Sequence, residues 1–135
     1  MKYHLWIFFL CLLLVSCKVK NMGTNHVPET ITISQSQDAD DYLLHLGDTL
    51  ELQFTTNSST GHRWRWLNKG TCTTMDSISI RYHQVRPELV GSSAKMHWKF
   101  ASTGLGTDTL LFGYGPSYDA GVIVKERKVI VHVER

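Results

Sequence analysis

Alternation with a period of two governs what this chain can fold into. Leu50, Leu52 and Phe54 share one face of a run whose other face carries Glu51 and Gln53, and Trp64 and Trp66 alternate with Arg63 and Arg65. Met96, Trp98 and Phe100 repeat the pattern, Val129, Val131 and Val133 close the chain with it, and Thr30 to Ile33 and Ile78 to Tyr82 are shorter instances. Successive side chains on a strand point to opposite faces, so each run buries one face and wets the other. No stretch of helical length carries an apolar stripe at 3.6-residue spacing. The pattern predicts an all-β domain, an antiparallel immunoglobulin-like β-sandwich of seven or eight strands over residues 29–135, with Trp64 or Trp66 as its core tryptophan.

At 135 residues, 42% of them hydrophobic and 19% charged, the chain suits one globular domain. A net charge of +2 with scattered basic residues excludes a nucleic-acid surface. Residues 1–16 read as a signal peptide: Lys2 and His4 open it, and the apolar run Leu5 to Val15 is too short to span a bilayer as a helix. Leu14-Val15-Ser16-Cys17 resembles the bacterial lipoprotein box, which implies lipidation at Cys17, membrane anchoring and a place in the bacterial cell envelope. A plain secretory signal with an incidental cysteine is the alternative. Residues 17–28 then form the lipidated cysteine and a flexible tether without periodicity. No acidic run follows Cys17, which points to a periplasm-facing domain.

Removal of Cys11 and lipidation of Cys17 leave Cys72 as the domain's single thiol, so no internal disulfide is available. Cys72 reads as a packing residue; the rival reading is a nucleophile with His83 or His97 as base. The histidines at 4, 26, 45, 62, 83, 97 and 132 show no metal-ligand spacing, and the Asp38, Asp40, Asp41 cluster lacks the glycine and distal glutamate of a calcium loop. No metal, no cofactor and no catalytic carboxylate pair are expected. Asn57-Ser58-Ser59 is a formal glycosylation sequon, of little consequence if the lipoprotein box means a bacterial cell.

Between the second and third main strands lies a polar loop, Asn57-Ser58-Ser59-Thr60-Gly61-His62-Arg63-Trp64. It resembles the signature Asn-Pro-Thr-Thr-Gly-aromatic-x-Trp of the chagasin family, protein inhibitors of papain-like cysteine peptidases. Asn57, Thr60, Gly61 and Trp64 match; Ser58, Ser59 and His62 replace the proline, the first threonine and the aromatic. A second loop, Gly91-Ser92-Ser93-Ala94 before Met96, Trp98 and Phe100, is similar to the family's Gly-x-Gly-Gly/Ala loop, with Ser93 in place of the second glycine. Phe100 to Leu110 resembles the family's phenylalanine-to-Gly-Thr-x-x-Leu passage. The third family loop, Arg-Pro-Trp (or Phe) after a Tyr-x step, corresponds to Tyr114-Gly115-Pro116-Ser117-Tyr118. There Gly115 replaces the arginine and Ser117 the aromatic, while Tyr118 can supply the ring if the loop is shifted.

The resemblance implies a monomeric protein with no enzymatic activity, a reversible competitive inhibitor whose three loops at one end of the sandwich occlude a papain-like peptidase cleft. Asn57, Ser58, Ser59, Thr60, Gly61, His62, Gly91, Ser92, Ser93, Ala94, Tyr114, Gly115, Pro116, Ser117 and Tyr118 would make that contact. The alternative is a non-inhibitory immunoglobulin-like envelope lipoprotein that binds a polysaccharide or a protein partner through the same loops.

Overall fold

The computed structural model describes residues 26–34 and 41–135. The expected signal segment, Cys17, the tether up to residue 25 and the acidic residues Asp38 and Asp40 lie outside the described residues. Eight strands are formed: β1 (Thr30–Ile33), β2 (Asp41–His45), β3 (Thr49–Thr56), β4 (His62–Trp66), β5 (Met75–Gln84), β6 (Ala94–Ser102), β7 (Gly106–Pro116) and β8 (Lys125–Glu134). They make two four-stranded sheets, ordered β1-β3-β6-β5 and β2-β8-β7-β4. Their inner faces close over one core, so the domain is the expected all-β sandwich.

The alternating residues do what their spacing dictates. Leu50, Leu52, Phe54, Met96, Trp98 and Phe100 come from the first sheet, and Trp64, Leu110, Phe112, Val129, Val131 and Val133 from the second; all are buried. An aromatic seam crosses between the sheets: Phe54 stacks on Trp64 at 4.7 Å, meets Phe112 at 5.1 Å, and Trp66 sets its edge against Phe100 at 5.1 Å. Such ring pairs add about 0.5–1.5 kcal/mol each beyond area burial.

The pairing is not wholly antiparallel, contrary to the sequence expectation. β1 runs parallel to β3, and β2 parallel to β8, while the other four pairings are antiparallel. A parallel neighbour needs a crossover rather than a hairpin. Here β2, in the opposite sheet, carries the chain from β1 back to β3. β5 departs from expectation in another way. Ile80 and Tyr82 lie opposite the buried Trp98 and Met96, on the inner face, yet both stay exposed because β5 is the edge of its sheet.

Candidate functional site

The three loops singled out in the sequence gather at one pole. Residues 57–61 leave β3 in one sheet and reach β4 in the other, so this is a crossing between sheets and not a hairpin. Residues 85–93 join β5 to β6 within the first sheet, and residues 117–124 join β7 to β8 within the second. The crossing loop is therefore flanked by a hairpin tip on each side.

Its backbone is fixed locally. Asn57 Oδ1 accepts from the Ser59 N–H at 3.1 Å and the Ser59 hydroxyl at 2.6 Å. The Thr60 hydroxyl and N–H both donate to the Asn57 carbonyl, at 2.8 and 3.3 Å, closing a 3-10 turn over Ser58–Thr60. Asn and Thr offer such local bonds readily, which is why they build turns. Gly61 follows at φ 68°, a left-handed conformation that glycine adopts without steric cost. Trp64 anchors the base: its indole N–H donates to the Thr55 carbonyl at 3.1 Å, tying β4 to β3 across the sandwich.

The neighbours lock onto this loop. The Gly61 carbonyl accepts from the Ser117 N–H at 2.8 Å and the Ser117 hydroxyl at 2.9 Å, which joins the first and third loops. The second loop approaches from the other side, where a β-carbon on Gly91 would stand 3.6 Å from Ser59 Oγ. Ser92 turns inward and donates to the Arg86 carbonyl at 2.7 Å, while Ala94 is buried at the start of β6. His62 and Trp64 both pack against Tyr114, with centroids 5.6 and 5.3 Å apart. Shallow grooves separate the tips: Ser93, Asn57, Tyr114 and Lys125 line one, and His62, Arg63, Tyr82 and Ser117 another.

Thus the structure brings together all three sequence-designated loops, with Ser59, Thr60, Gly91, Ser117 and Tyr118 exposed. Pro116 and Gly115 are buried and act as framework. At position 115 a β-carbon would meet the Val122 carbonyl oxygen at 2.1 Å, so no arginine can stand where the family pattern has one. The third loop instead folds back over the outer face of its sheet and is held by Arg65. That guanidinium donates to the carbonyls of Pro116 at 2.7 Å and of Ala120 and Val122 at 3.2 Å each. Sequence alternation puts Arg65 on the outer face, as expected, but gives no sign that it caps a loop more than fifty residues away. Tyr82 was likewise missed, because alternation alone cannot tell an edge strand from a central one.

Residues 44–133 match the profile of the Chagasin family peptidase inhibitor I42. The chain belongs to the chagasin family of peptidase inhibitors. A crystal structure of the cysteine protease inhibitor EhICP2 from Entamoeba histolytica is similar at a TM-score of 0.69 and 18% identity, covering 81% of this chain and 99% of that one. The solution structure of amebosin is similar at a TM-score of 0.58 and 18% identity, covering 80% of this chain and 98% of that one. No curated protein matches the chain in sequence. Chagasin-family members are inhibitors and not enzymes, and the thiol agrees with that class. Burial, and then Asp108 at 3.4 Å, push the Cys72 thiol upward, the reverse of an activated nucleophile. Of the two histidines considered as its base, His83 and His97, the latter is bonded instead to Glu51 at 2.7 Å.

Proposed function

We propose that this chagasin-family chain inhibits papain-like cysteine peptidases reversibly and competitively, as a monomer, with the three-loop pole as the wedge that fills the cleft. The observation that carries this reading is the pair of hydrogen bonds that Ser117 donates to the Gly61 carbonyl, which fixes two exposed loops to each other before any partner arrives. Pre-organisation of this kind removes ordering costs from binding. The loop Asn57–Gly61 would enter the cleft with Thr60 nearest the catalytic cysteine, while the second and third loops clasp its walls over about 800 Å² per partner.

The same bonds explain how the wedge escapes cleavage. A peptidase must draw the scissile carbonyl oxygen into its oxyanion hole and bring the carbon within about 3–3.5 Å of the thiolate. The Asn57 carbonyl is engaged by Thr60, the Thr60 carbonyl by His62 Nδ1 at 2.9 Å, and the Gly61 carbonyl by Ser117. Attack would require breaking these contacts first. The 3-10 turn also offsets the absence of the family proline at Ser58, because local bonding supplies stiffness that the ring would have given.

The N-terminal segment would anchor this inhibitor in a bacterial envelope through lipid on Cys17, facing the periplasm. Titration of residues 18–135 into papain and a cathepsin L-type peptidase should give competitive inhibition at nanomolar to low-micromolar concentration. A folded β-rich domain that fails to inhibit at about 100 μM, a Kd range worth only some 5–6 kcal/mol, would defeat the reading. Incorporation of labelled palmitate that is lost in Cys17→Ala checks the anchor separately.

A further inference from the structure

At the pole opposite the loops, two histidines and a buried aspartate converge from distant parts of the chain. His26 Nε2 lies 2.6 Å from Asp48 Oδ1, and His45 Nδ1 lies 3.7 Å from Asp48 Oδ2. The two imidazoles stack with centroids 4.0 Å apart. One ligand atom from each of His26, His45 and Asp48 falls within 4.8 Å of the others. Glu134 adds a carboxylate at the rim, 3.5 Å from His45 Nε2. Asp48 is 2% exposed, yet its carboxylate is aimed without help from the rings: the N–H groups of Glu29 and His45 donate to its two oxygens at 2.9 and 2.8 Å.

We propose that this cluster is a binding site for a divalent transition-metal ion of the zinc type, held by His26, His45 and Asp48 with Glu134 beside them. Two imidazoles and a carboxylate are a borderline-soft N/O donor set, suited to zinc and ill-suited to magnesium or calcium, which take oxygen ligands. Bonds of about 2.0–2.1 Å in a tetrahedron put ligand atoms roughly 3.3 Å apart. The present spacings of 2.6 and 3.7 Å lie on either side of that value, so rotation of two half-exposed rings suffices and the backbone need not move. A carboxylate has about four lone-pair sites, so Asp48 can keep both backbone bonds while ligating, and those bonds become the outer shell that orients it. The ion would join the segment before β1 to the end of β2 and the turn that follows it, while Glu134, on the Nε2 side of the His45 ring, would orient that ligand. This site is independent of the peptidase-binding reading and stands or falls without it.

The test uses the full-length chain, stripped of metal with a chelator and titrated with zinc chloride by calorimetry and by competition with a chromophoric chelator. One equivalent should bind with micromolar or tighter affinity and raise the thermal midpoint, and magnesium should not compete. His26→Gln and His45→Gln, each checked for native circular dichroism, should each weaken binding by about tenfold or more. His132→Gln, which removes a separate pair with Asp41 at 2.7 Å, should leave it unchanged. No uptake up to about 1 mM zinc, equal competition by magnesium, or unchanged affinity in either ring variant would overturn the proposal.

Discussion

The two poles of this sandwich are built from different chemistry. The crossing loop is held by neutral bonds among Asn57, Ser59, Thr60, Gly61 and Ser117, and the Arg65 guanidinium holds the third loop beside it. The opposite pole is held by two nearly buried carboxylates. Asp48 accepts from Glu29, His45 and His26, and Asp108 accepts from the N–H groups of Thr73 and Thr74 at 2.7 Å each and from both of their hydroxyls. Ser102 completes it, its hydroxyl placed to bond the carbonyls of His45 and Asp48. Charge-assisted bonds in a shielded setting carry more stability than neutral ones at a surface. The contrast places the stronger bonds at one end and, on the proposed reading, recognition at the other, so loop residues can diverge from the family pattern without unfolding the domain.

The largest effect should come from the stabilising pole. Asp108→Ala leaves the Thr73 and Thr74 N–H groups unpaired and should cost about 3 kcal/mol or more, seen as a fall in denaturation midpoint. Inhibition per folded molecule should not change; if it drops, the division between poles fails. Next in size is Tyr118→Ala, the truncation of a ring that is 85% exposed. It should weaken inhibition by about 2 kcal/mol, or roughly thirtyfold in Ki, with stability unchanged within about 0.5 kcal/mol. Arg65→Ala releases three carbonyls of the third loop and should raise Ki about tenfold, near 1.4 kcal/mol, through lost pre-organisation. Lysine at 65 should rescue little, since one ammonium cannot reproduce the fork.

The smallest effect is in acid. Burial would raise the Asp108 carboxyl, but the Thr73 and Thr74 N–H groups, the Thr74 hydroxyl and Cys72 outweigh it and hold it below the usual aspartate value of 3.8. A depressed folded-state value contributes stability above the unfolded value, and that contribution is lost as pH falls through the folded one. Glu51, held low first by its bond from His97 and then by Lys99, adds to the same trend. Chemical denaturation should therefore show stability falling as pH drops below about 4, with a shallower fall in Asp108→Asn. An equal slope in the variant would move the acid sensitivity elsewhere.

How much of this was legible beforehand depended on whether the signal was local. Leu50, Leu52 and Phe54, or Val129, Val131 and Val133, announce a buried face by spacing alone, and all are buried. The loop motif around Asn57 to Trp64 led to the family. The parallel pairing of β1 with β3 and of β2 with β8 was not legible, because strand direction within a sheet is set by crossover connections and not by alternation. Nor was the convergence of His26, His45 and Asp48, since ligand spacing along the chain reports only short-range sites. Gly115 is the instructive case. Read against the family pattern it is a missing arginine; in the fold it makes room for the Val122 carbonyl, and Arg65 holds the loop from below.

His26 docks at the pole farthest from the loops. If residue 17 is lipidated as proposed, the chain enters the domain from the anchored side, and the loop pole stands at the far end of the sandwich from that entry. Confinement to a thin layer would raise the local concentration of the proposed wedge above that of a free molecule. The architecture would then suit a protected boundary layer, dosed by surface density, in which modest affinity is no handicap.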